Sequence, residues 1–179
     1  MSGGYPTRPA AAASTVETIL NPATKGVAIH ATVEDNEGSP LPGPYTDPDV
    51  PRNVRVAMGN GYDGGQVVVT GTYQGAAVSE AFDQTPGSTL VGVKIFETID
   101  PVNGITHDNP GLGGGDTTLE VTTGDKLGIS AAMSSPVGIC TIDGTIALGT
   151  FDTAAGQRGF TPATVLPNGA RDYRFMIPL

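Results

Sequence analysis

The chain carries few side chains suited to chemistry: two histidines, His30 and His107, one cysteine, Cys140, and eighteen carboxylates. Nucleophilic catalysis needs a nucleophile, a base and an orienting acid within hydrogen-bond reach. His107 beside Asp108 could supply the last two, yet no G-x-S-x-G elbow occurs to supply the first. His30 falls on the Thr32 side of an alternating run and reads as a surface or edge histidine. Cys140, between Ile139 and Thr141 in a β-like run, reads as a buried, inert thiol. One cysteine and two distant histidines cannot close a tetrahedral zinc site, and a lone cysteine forbids an internal disulfide.

The carboxylates are no more specific. Gly111-Leu112-Gly113-Gly114-Gly115-Asp116 approaches a calcium-binding nonapeptide, but it occurs once, with Leu112 in place of glycine and Thr118 where an apolar residue belongs. No EF-hand loop is present, and loop carboxylates such as Asp47, Asp49 and Asp63 are the donors a calcium site would have to use, without a motif to join them. Among eighteen acids some pair always exists on paper, so a glycosidase reading has no support in spacing. Sugar binding wants stacked aromatics; tryptophan is absent, leaving Tyr45, Tyr62 and Tyr73. P-loop and dinucleotide fingerprints are missing. The residues point to a non-enzymatic chain with no catalytic, cofactor or metal site.

Charge and hydropathy narrow the partners. Net charge is −9 and lysine and arginine form no cluster, so nucleic acid is not an expected partner. No 18-residue apolar run or signal-peptide core occurs, so no membrane partner is expected, and assembly is expected in the cytoplasm.

The elements that must hold these residues read as β. The 26 glycines and 15 prolines exclude a helical bundle, and no G-X-Y period marks collagen. Residues 1–26 read as an extended arm, with Pro6, Pro9 and Pro22 pushing the preceding residues out of the α region. Ser14 and Glu17 have capping-box spacing, which admits one helical turn before Pro22. Residues 27–179 read as a single β domain with long loops at 34–51 and 101–116. The 34–51 loop holds five prolines and five acids, and its length points to either disorder or a working contact surface. Residues 66–73 and 76–82 form a hairpin about Gln74-Gly75. Residues 91–99 read as one strand, central or facing a neighbour, with Val91, Val93, Ile95 and Ile99 on one face. Gly124-Asp125 reads as a turn, as do Asp143-Gly144 and Pro167-Asn168-Gly169, and the last strand carries Tyr173, Phe175 and Ile177. About eight to ten short strands predict an antiparallel β-sandwich or barrel.

Several segments, in order, carry a resemblance: Val54-Arg55-Val56, Asp63-Gly64-Gly65-Gln66 running into Val67–Thr72, Val78-Ser79-Glu80 and Gly92-Val93-Lys94-Ile95-Phe96. Gly124-Asp125-Lys126-Leu127-Gly128 and the 167–173 segment continue it. Over residues 50–175 the chain resembles small virion structural proteins of tailed bacteriophages, especially those encoded near the major capsid protein. The resemblance implies a β-rich capsid decoration (cement) protein on the outside of the head, with the major capsid protein and further copies of itself as partners. A trimer is the expected assembly; a head–tail connector, a tail protein or a host-surface adhesin are the alternatives. An acidic chain suits the outside of a shell filled with DNA. The candidate assembly contacts are Tyr5, Arg8 and Arg52, the two arginines being isolated bases beside prolines that could meet an acidic partner.

Overall fold

The computed structural model describes residues 14–19, 22–34, 40–41, 43–62, 64–108, 118–130, 138–154 and 157–178. These residues contain no helix and fourteen strands. In chain order they are β1 (Ser14–Ile19), β2 (Ala28–Glu34), β3 (Arg52–Met58), β4 (Gln66–Tyr73), β5 (Ala76–Asp83), β6 (Thr89–Val91) and β7 (Thr98–Ile99). There follow β8 (Ile105–His107), β9 (Thr118–Gly128), β10 (Ile139–Ile142), β11 (Thr145–Ala147), β12 (Gly149–Asp152), β13 (Gly159–Pro162) and β14 (Tyr173–Pro178). All pairings are antiparallel, and the fold is the all-β, sandwich-or-barrel class expected.

Three sheets share the strands. Sheet A runs β1-β14-β10-β11; sheet B runs β12-β13-β9-β3-β6, with β2 also on β9; sheet C runs β5-β4-β7, with β8 also on β4. The spine is β9, eleven residues long. Its first half pairs with β2 and buries Leu119 and Val121 in a core shared with β3, β4 and β5. Its last residues meet β13 and carry Leu127 into a second core beneath sheet A, with Phe160, Tyr173, Phe175 and Ile177.

Local chemistry explains much of this. Gln74 and Gly75 take φ of 54° and 72°, and Asp143 and Gly144 take 50° and 81°. Two successive positive φ values give the twist that closes a two-residue hairpin, joining β4 to β5 and β10 to β11. Along β14, Tyr173, Phe175 and Ile177 are buried while Arg174 and Met176 point outward. That is the period-2 pattern of a strand with one face on a core.

Three expectations are corrected, and a fourth segment is partly anchored. Residues 14–19 are a strand, not a helical turn in an arm: six residues of β1 pair with β14, and Glu17 accepts hydrogen bonds from Ser130 N–H at 2.9 Å. A single turn is costly to nucleate, and the sheet supplies more bonds. Gly124-Asp125 is no turn but lies within β9; a Cβ at Gly124 would sit 2.2 Å from the Asn53 amide oxygen, so the glycine lets β3 and β9 close on each other at a bulge. The single strand read over 91–99 is two short ones, with Val93 half-exposed while Ile95 and Phe96 are both buried as the chain crosses from sheet B to sheet C. In the proline-rich loop, Leu41 is buried, its N–H bonds to Ile105, and Thr46 N–H bonds to Ile29, so this part lies on the core.

Candidate functional site

The histidines are interior groups. His30 is buried on β2, whose described pairing is with β9 alone, so of the surface and edge readings only the surface one is corrected, and its ring lies 5.5 Å from that of Tyr45. His107 is buried at the end of β8, edge-on to Tyr62. Its Nδ1 lies 3.1 Å from the backbone oxygen of Asp108, whereas the Asp108 carboxylate accepts from Gln66 N–H at 3.0 Å. The His107–Asp108 pair is therefore not arranged as base and orienting acid. Cys140 is buried under sheet A, where desolvation pushes its thiol up to about 12.

The other described candidates are engaged by the rest of the chain, Asp47 and Asp49 from exposed positions. Asp47 accepts from Ile99 N–H at 2.8 Å, and Asp49 accepts from Ala23 N–H at 2.7 Å. Tyr62 and Tyr73 are buried, and Tyr45 is partly buried with its hydroxyl on the Leu41 carbonyl, so these rings make no exposed platform. Asp63, the 111–116 glycine run, Tyr5 and Arg8 lie outside the described residues. Among the described residues, no three His, Cys, Asp or Glu side chains group around a common point.

Arg52 requires a correction. Expected to meet a partner, it has no exposed surface at all. Its Nε donates to Gly124 O at 2.9 Å, and its Nη1 donates to Ala23 O at 2.8 Å and to Asp49 at 3.1 Å. The guanidinium joins the segment entering β2, the loop before β3 and the middle of β9. Beside it runs a second polar set. Asn53 donates to Gly92 O at 2.7 Å and accepts from Lys126 N–H at 2.9 Å; the Lys126 ammonium meets Val93 O and Asp152, each at 2.8 Å. Glu80 accepts from Val93 N–H at 2.7 Å; burial raises its carboxyl above the ordinary value, against those backbone donors and the Lys94 and Lys126 charges. The buried cations and their partners hold strands together. Composition gave no sign of this set, because a lysine or arginine in sequence does not announce burial.

Among the described residues, an exposed apolar feature lies on sheet A. On the outer face of sheet A, Val16 of β1, Met176 of β14 and Ile139 of β10 are in direct register. They are 64%, 50% and 47% exposed. Alongside runs a second row, Thr18, Arg174, Thr141 and Ile146, with Ile146 72% exposed. Leu148 is similarly exposed where the chain leaves sheet A for sheet B, and it rims a groove of about 500 Å³ with Ile139, Ile146, Phe151 and Phe160. Paired neighbours on one sheet face stand roughly 4.5–5.5 Å apart, so the first row is continuous. A trace of it is visible in sequence: Met176 is apolar where the alternation of the last strand calls for a polar residue.

Comparison with protein-family models, with curated proteins and with solved structures finds no match for this chain.

Proposed function

We propose that this chain is a non-enzymatic structural protein of a tailed-phage virion, a decoration protein on the outside of the head that staples neighbouring copies of the major capsid protein. The sequence resemblance supports this reading, and one structural observation carries it: β1 stands at the end of sheet A, hydrogen-bonded to β14, with Ser14 exposed. Ser14, which follows residues 1–13 with Tyr5 and Arg8, thus stands at a sheet edge. Thirteen residues reach up to ~45 Å when extended, enough to cross onto a neighbouring subunit. Prolines at 6 and 9 lower the entropy lost when such a segment is fixed. The net charge of −9 favours the shell exterior over the DNA-filled interior.

Quantitative mass spectrometry of virions tests the reading. It requires copy numbers comparable with the major capsid protein. One ring's worth of copies would refute it in favour of a neck or tail component. Removing residues 1–13 should then leave a folded domain that binds heads more weakly, and equal binding would refute the staple. Removal of 1–26 is a different perturbation, because it also takes away β1 and the Ala23 contacts of Arg52 and Asp49.

A further inference from the structure

We propose that the outer face of sheet A is a self-association surface, on which two copies of this chain stack their Val16–Met176–Ile139 rows about a two-fold axis. The exposed parts of Val16, Met176, Ile139, Ile146 and Leu148 amount to about 500 Å² of apolar surface, near the upper end of what a monomer exposes without a use. With the flanking Thr18, Arg174 and Thr141, two copies would bury roughly 1,200 Å² in total, the lower limit of a stable specific interface.

The occupant follows from the pattern and the charge. The row is close to symmetric, a long flexible methionine between two β-branched residues, and a two-fold axis along it sets each residue on its own counterpart. Methionine adapts its shape to a copy of itself without a preformed hole. The same axis places Arg174 on opposite sides of the row in the two copies, so the cations do not meet. Two chains of net charge −9 repel overall, but this face is free of acids: its outward residues on β1, β14, β10 and β11 are serine, threonine, arginine and apolar side chains. It is where two such acidic chains can approach. The outcome is a pair in place of the trimer anticipated from sequence.

This inference deepens the self-association within the decoration reading, and the two can fail separately. A chain that pairs but is scarce in virions refutes that reading alone; a monomer abundant on heads refutes this one alone. Sedimentation velocity of the full chain over a concentration series should show a species of twice the 18.1 kDa chain mass. Met176→Glu should weaken pairing at least ~30-fold, the loss typical of an interface hot spot, with the circular dichroism spectrum unchanged. Met176→Cys should crosslink between copies with a bis-maleimide of about 10 Å reach, the spacing of facing sheets, whereas Ser79→Cys on sheet C should not. This second variant carries the test if Met176→Glu fails to fold. A wild-type chain that is monomeric throughout, a closed assembly larger than two, or a dimer untouched by Met176→Glu and uncrosslinked at position 176 would overturn the proposal.

Discussion

Replacing Arg52 by alanine removes a fully buried guanidinium and three hydrogen bonds, to Gly124 O, Ala23 O and Asp49. Breaking a buried ion pair from one side costs about 3–5 kcal/mol, because the surviving charge and acceptors are left without partners. The Asp49 side chain is 27% exposed and keeps the Ala23 N–H, so its stranded charge is partly hydrated. That places the expected loss near ~3 kcal/mol, a large share of a total stability of about 5–15 kcal/mol. With a urea slope of ~2 kcal/mol/M, the unfolding midpoint should fall by roughly 1.5 M at unchanged slope. Arg52→Lys should recover little, since the acceptors are reached by two different nitrogens, Nε and Nη1, and an ammonium is a single point. An alanine variant within ~0.5 kcal/mol of wild type, the range of ordinary surface changes, would refute the tying role. Full recovery by lysine would refute the geometric part of the reasoning.

Two further outcomes follow from buried titratable groups. The Cys140 thiol, buried and pushed up to about 12, should not react with a thiol-specific disulfide reagent in the native state and should react at the rate of unfolding; rapid stoichiometric labelling of the folded protein would contradict its placement. Glu80, raised above its ordinary 4.5 by burial, binds its proton more tightly folded than unfolded, so its contribution to stability is present at low pH and is lost as pH rises from 4.5 through the folded value. Thermal melts from about pH 4 to about pH 7 should show the stability difference moving in favour of Glu80→Gln as pH rises, and a constant difference or the opposite trend would refute the assignment.

How much was legible depended on how local each signal was. The hairpins at Gln74-Gly75 and Asp143-Gly144 could be read directly, because a two-residue turn with positive φ is set by the residues within it. The burial of Tyr173, Phe175 and Ile177 followed from alternation along one strand. By contrast, Gly124 carries the same local mark as a turn glycine, yet it lies in β9 because the Asn53 side chain, 71 residues earlier in the chain, fills the space a Cβ would need. The Ser14–Glu17 spacing failed for the same reason, its competitor being a strand at the far end of the sequence.

The sequence by itself determined the all-β class, the turns that glycine and proline enforce, and the lack of the common catalytic and metal-binding motifs. These rest on backbone preference, alternation and counts, which need no knowledge of distant neighbours. Only the tertiary structure decided that Arg52 is an interior tie instead of an assembly contact, and that β1 belongs to the domain. It also brought Val16, Ile139 and Met176, from three separate segments, into one exposed row. Strand pairing across more than a hundred residues depends on which faces meet and what they bury, and no window along the chain contains both partners.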